Sequence, residues 1–136
     1  MNNIDIIMKK LDDRNSDTIQ KEGLQLAREI ESYNVFMQPH HPELIGTWHN
    51  CAIIISEKTD SQLSWYLVSL MEWIEDMHQD GAHIIYNRLC KYKKDIFFNT
   101  AYSICLKYAK AEGNENWLAT LHALNKAVND SQAAEI

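Results

Sequence analysis

Three histidines, His40, His41 and His49, stand with Glu43 in the stretch HHPELIGTWH. Imidazoles and a carboxylate are the ligand types of a zinc centre, so the group defines one chemical possibility, a small His-dependent metalloenzyme. Its spacing argues against that reading. His40 and His41 precede Pro42 in irregular chain, and no HExxH pattern sets two imidazoles on one helix face. Carboxylates form a second group, with Glu72, Glu75 and Asp76 near one helix end and Asp12 with Asp13 at an equivalent turn. General acid–base chemistry on a glycoside needs two carboxylates across a cleft with separated pKa values, and acids bunched at a helix end suit capping and solvation better. Nucleophile motifs are missing too: the chain has no G-x-S-x-G, P-loop or dinucleotide fingerprint, although Cys105 and His122 are free to pair in space. We therefore read the chain as a non-enzyme with no cofactor or metal.

A different chemistry, surface recognition, follows from helix geometry. At about 100° per residue, Trp65, Ser69, Glu72 and Asp76 line up opposite a core stripe of Leu63, Leu67, Leu70 and Ile74. An outward Trp either packs under a neighbouring layer or anchors a partner, and the acids beside it form a negative rim that steers a basic protein.

Those residues must be positioned by helices. The 136 residues contain only 4 Gly and 2 Pro, which leaves little material for hairpin turns. Seven helices are predicted: Ile4–Leu11, Thr18–Ser32 capped by Asp17, Pro42–Glu57, a segment from Asp60 or Ser61 to Met77, Gly81–Tyr92 capped by Asp80, a helix from Asp95 to Glu112 ended by Gly113, and a last one from Glu115 or Asn116. Ile19, Gly23, Leu26, Ala27 and Ile30 share the apolar face of the second, where Gly23 marks a close helix–helix approach. Ile53, Ile54 and Ile55 favour a strand by type, but Trp48, Cys51, Ala52 and Ile55 repeat at helical spacing. Residues 1–130 form one all-α domain, and the tail SQAAEI, residues 131–136, frays.

Two predicted hairpins echo each other. At one constant offset Ile4 falls on Leu67, Ile7 on Leu70, Leu11 on Ile74, Asp13 on Asp76, Asp17 on Asp80 and Leu26 on Leu89. A helix pair that cannot bury its own apolar face stacks on a neighbour, so the repetition implies antiparallel hairpins stacked as a small solenoid.

Bulk properties exclude several classes. With 13 basic and 19 acidic residues the net charge is −6, which disfavours nucleic acid and suits a basic partner. No apolar run reaches the ~18 residues that span a bilayer, and the N-terminus has no signal-type core. The expectation is a cytoplasmic protein with no membrane association. Cys51, Cys90 and Cys105 form no CxxC pair and are expected as reduced, buried thiols. Lys91, Lys93 and Lys94 gather in an expected loop, too few for an RNA-binding footprint.

The segment from Thr47 to Leu89 carries Trp48, Asn50 and Ala52, then Leu70, Trp73, Ile74 and Asp76, then Gly81, Ala82 and Leu89. Read as W-x-N-x-A, L-x-x-W-I-x-D and G-A-x-x-I-x-x-x-L, these resemble small HEAT-like helical proteins of bacteria. Several proteins of that look are immunity proteins of toxin systems, including contact-dependent growth inhibition. The resemblance implies a HEAT/armadillo-like stack and a small acidic protein that binds the C-terminal toxin domain of a secreted effector, covering a basic nuclease active site. On that reading the partner-binding residues are Asp12, Asp13, Asp17, Trp65, Glu72, Glu75 and Asp76. A non-enzymatic helical-repeat adaptor for another cellular protein is the alternative.

Overall fold

Short apolar-periodic segments separated by polar turns become short helices, and every described element is helical. The computed structural model describes residues 3–133, which contain eight α-helices, three 3₁₀ turns and no strand. By its contacts the chain divides into two compact units, Met1–Glu57 and Lys58–Ile136. None of the described helices is long and apolar enough to cross a membrane.

The first unit begins with the hairpin of α1 (Asn3–Leu11) and α2 (Asp17–Arg28). Ile7, Met8 and Leu11 bury the face of α1. Ser16, not Asp17, caps α2. It is the last residue with extended backbone, and its hydroxyl accepts from the Ile19 amide at 3.4 Å. Only Gly23 and Ala27 of the expected α2 stripe are buried. Ile19 and Leu26 are more than a third exposed, and the helix ends at Arg28 rather than Ser32. The narrow buried strip follows from how closely the helices approach. A Cβ built on Gly23 would stand 2.9 Å from Lys10 Cβ and 3.1 Å from the Lys10 backbone carbon.

The chain then makes 3₁₀ turns at Tyr33–Phe36 and Pro42–Thr47 before α3 (Trp48–Ser56). Pro42 opens its turn as expected, though as 3₁₀ rather than α, with His41 Nδ1 accepting from the Glu43 amide at 3.2 Å. The isoleucine run is helical, and Ile54 and Ile55 are buried. Asn50 ties α3 to α1: its buried amide donates to the Leu11 carbonyl at 2.7 Å and to Gln20 Oε1 at 2.9 Å.

The second unit opens with a capping box. The Thr59 hydroxyl accepts from the Gln62 amide at 3.2 Å, and Gln62 Oε1 accepts from the Thr59 amide at 3.0 Å. Thr59 thereby displaces Asp60 and Ser61 as cap of α4 (Asp60–Leu63). The single helix expected to Met77 is broken. The Ser64 hydroxyl donates to the Ser61 carbonyl at 2.9 Å, competing with the helical ladder, and Ser64–Tyr66 tighten to 3₁₀. The ladder resumes as α5 (Leu67–Trp73) and stops there. The buried Trp73 indole donates to the Asp80 carbonyl at 3.1 Å, fixing the turn to α6 (Ala82–Cys90). Gly81 occupies the cap position of α6 at φ 83°, where Asp80 was expected.

Asp95 caps α7 (Ile96–Glu112), accepting from the Phe98 amide at 2.9 Å, and Gly113 ends it at φ 65°. Asn114 Oδ1 caps α8 (Glu115–Ala133) by accepting from the Trp117 amide at 3.0 Å. Ser131–Ala133 of the expected frayed tail are helical, and the Gln132 amide donates to the Tyr92 carbonyl at 3.3 Å. The rest of that tail lies outside the described residues.

Within this unit α5 packs on α6 and on α7, and α8 packs on α6 and on α7. Along α5 and α7 the contacts ascend together: Trp65 against Phe97, Val68 O against Cys105 Sγ, Glu75 against Asn114. Two successive hairpins are thus stacked in parallel register, as in a helical solenoid. The echo reproduces the hairpins α1–α2 and α5–α6, and Ile7, Leu70, Leu11 and Ile74 are all buried. It fails at Leu26, which is 40% exposed where Leu89 is buried.

Two substitutions test this packing. Gly23→Ala should lower unfolding free energy by about 1–3 kcal/mol, because Lys10 meets it with backbone that cannot rotate away; a urea midpoint measures it. Asn50→Ala should cost about 1–3 kcal/mol by orphaning the Leu11 carbonyl, read as a lower Tm with secondary structure retained.

Candidate functional site

The histidine group does not assemble. Among the described residues no three His, Cys, Asp or Glu side chains are placed to hold a metal ion. His41 is occupied by its own turn, His40 lies edge-on to Trp48, and His49 is exposed. Burial pushes the Cys51 thiol up to about 11 and the Cys105 thiol up to about 12, so both stay protonated at neutral pH. Cys105 Sγ faces the Val68 carbonyl at 4.0 Å, and His122 is exposed.

The acids expected to bind a partner separate into two groups. Asp12, Asp13 and Asp17 belong to the first unit. Asp12 is committed internally. Its carboxylate accepts from Arg14 Nε at 2.9 Å, Arg14 Nη2 at 2.7 Å and the Arg14 amide at 2.9 Å, and it lies against Gly46. Those hydrogen bonds hold its carboxyl below the ordinary value. Asp13 and Asp17 are exposed. Trp65, Glu72, Glu75 and Asp76 belong to the second unit.

The tryptophans show which aromatic is unusual. Trp48, Trp73 and Trp117 are buried, and each indole N–H donates to a backbone carbonyl: Pro39 at 2.6 Å, Asp80 at 3.1 Å and Met71 at 3.0 Å. Trp65 is 77% exposed. Its ring lies 5.5 Å from that of Phe97, tilted by 54°. Since the helix is broken at Ser64–Tyr66 and ends at Trp73, the expected continuous stripe from Trp65 to Asp76 is not one helix face. Its second edge comes from α7.

That helix carries two apolar faces. Phe98, Ala101, Cys105 and Ala109 are buried. Phe97, Ile104 and Tyr108, at i, i+7 and i+11, are exposed along one stripe, with Ile96 74% exposed beside them. Trp65, Val68, Phe97, Thr100 and Ile104 line a groove of about 410 Å³ between α5 and α7. Exposed apolar surface that is contiguous, unlike scattered single residues, marks interaction sites.

Sequence reasoning had Trp65 but missed Ile96, Phe97, Ile104 and Tyr108. The signal was legible as a second apolar repeat on α7, out of phase with its core stripe; only contacts show which of the two repeats is covered.

The far end of the same face is acidic. Glu75 is half-buried, and its carboxylate accepts from Asn114 Nδ2 at 3.0 Å. Burial raises its pKa most, then the Glu112 charge, with smaller contributions from Glu72 and Asp76, against the lowering by Asn114. Four carboxylates from α5, its following turn and α7 therefore share one region. Asp76 is partly engaged by its turn, accepting from the His78 amide at 2.9 Å.

A raised carboxyl pKa means that the folded state holds the proton more tightly, so Glu75 detracts from stability as pH rises through its folded value. Glu75→Gln keeps an acceptor for Asn114 and removes the charge. Its Tm should exceed that of the wild type at neutral pH, and the gain should vanish below the ordinary carboxyl value of 4.5; thermal melts across pH decide this. Comparison with protein-family models, with curated proteins and with solved structures finds no match to this chain.

Proposed function

We propose that the chain is an immunity-type binding protein, which neutralises a cognate toxin domain, a basic nuclease, by stoichiometric occlusion through the α5–α7 face. The observation that carries this reading is the uncovered stripe of Trp65, Phe97, Ile104 and Tyr108, which ends in the carboxylates Glu72, Glu75, Asp76 and Glu112. Aromatic side chains in partly concave surroundings supply most of the energy of interfaces. Carboxylates at their edge raise the rate of encounter with a cationic surface and select against acidic ones. A net charge of −6 adds to that field. Occlusion needs no reacting group on the inhibitor.

Within this reading Trp65, Glu72, Glu75 and Asp76 stay as the residues that meet the partner, Glu112 joins them, and Asp12 is set aside because it is already paired with Arg14.

Co-expression in a bacterial host with the toxin domain encoded beside this chain should restore growth. Trp65→Ala with Ile104→Asp should abolish protection while leaving the helical circular dichroism unchanged. Persistent toxicity in the presence of the wild-type chain would sink the immunity reading.

A further inference from the structure

We infer that the element seated on the α5–α7 face is a basic amphipathic α-helix of the partner, apolar along its length and cationic at one end. This rests on the protein-binding reading above and specifies what is bound.

Shape comes first. The exposed stripe from Phe97 through Thr100, Ile104 and Tyr108 to Ala111 spans ~20 Å at the α-helical rise. Its positions carry no charge, and the 3.6-residue repeat gives a ridge flanked by the groove beside Trp65 and Val68. An amphipathic helix fits such a groove through anchors at i, i+3 or i+4, and i+7. An added β-strand needs a sheet edge to pair with, and the described residues contain no strand.

Charge then orients the guest. At the Glu112 end, Glu72, Glu75 and Asp76 join Glu112 closely enough to raise the Glu75 carboxyl. The C-termini of α5 and α7 lie at this end too, and their partial negative charges act in the same sense. At the Trp65 end the charges are mixed. Lys93 and Lys94 border Trp65 and Phe97 together with Asp60 and Asp95; Lys94 Nζ donates to Asn125 and Asn129, Asp60 is paired with Arg88 at 2.6 Å, and Asp95 caps α7. Cations on the guest are therefore favoured at the Glu112 end, where the carboxylates are grouped, over the Trp65 end, where lysines offset the acids, leaving its apolar anchors for the stripe between.

The test uses the full chain and two synthetic helical peptides of about five turns. Both carry leucines at helical spacing; one has lysines confined to one end, the other glutamates at those positions. Trp65 is the exposed tryptophan among three buried ones, so a blue shift of the emission reports on this face. The lysine peptide should bind, more weakly as salt rises, and at least about tenfold more tightly than the glutamate peptide. Glu72→Lys with Glu112→Lys, both exposed positions, should reverse that preference. Ile104→Asp should abolish the shift, and Ile45→Asp in the first unit should leave it intact. Equal binding of the two peptides, no shift with either, or unchanged binding to Ile104→Asp would overturn the inference. So would self-association of the chain in sedimentation that Ile104→Asp abolishes, since a second copy would then be the occupant. Growth protection that survives the charge reversal keeps the immunity reading and removes the basic helix. Peptide preference without growth protection does the opposite.

Discussion

Short helices leave many backbone ends, and this structure depends on satisfying them. Each helix ends with carbonyls that have no partner within it, and a buried carbonyl without a donor costs about as much as a lost hydrogen bond. The chain meets that demand with side-chain donors. Asn50 reaches the Leu11 carbonyl at the end of α1 and Trp117 the Met71 carbonyl in the last turn of α5, while Trp73, Trp48 and Arg88 donate in the same way to the turn and loop carbonyls of Asp80, Pro39 and Lys58, the last at 2.9 Å. Each bond joins segments that are distant in sequence or only loosely wound. Among the described residues no buried side-chain nitrogen or oxygen is left without a partner. The same groups that satisfy the ends therefore also set how the helices sit within each unit.

This constraint separates structural from functional aromatics. A buried Trp has both an apolar body to cover and an N–H to satisfy, and three of the four tryptophans do both jobs inside the fold. Trp65 does neither, and its neighbour across the groove, Phe97, is also exposed. The second apolar face of α7 continues the same surface. Hairpin stacking explains how such a face arises: α7 packs on α5 and on α8, and the stripe at the edge of the α5 contact stays exposed.

The proposed mode of action asks little of local chemistry and much of surface arrangement. Apolar side chains give contact area, and the carboxylates at one end give direction. Glu75 shows that these charges are close enough to disfavour one another, a cost that an incoming cation would relieve. Acids with a partner already in place, Asp12 with Arg14 above all, offer no such gain.

Periodicity and capping chemistry determined from the sequence alone that the chain is all-helical, where Asp95 and Gly113 bound α7, that Gly23 marks a close approach, and that the isoleucine run is helix rather than strand. Those are local properties: a 3.6-residue repeat, an extended residue with an acceptor, a position tolerant of positive φ. Sequence reasoning missed by one or two residues where several polar groups compete for one cap, as at Ser16 and Thr59, and it missed the break at Ser64–Tyr66, because a serine hydroxyl turned on its own backbone looks the same in sequence as one turned to water. Only the tertiary structure decided which apolar face of α7 is covered, that Asp12 is paired with Arg14, and that Glu75 and Glu112 share one region. Burial and charge proximity are properties of packed neighbours, and residues 37 positions apart such as Glu75 and Glu112 become neighbours only when one hairpin is stacked on the next.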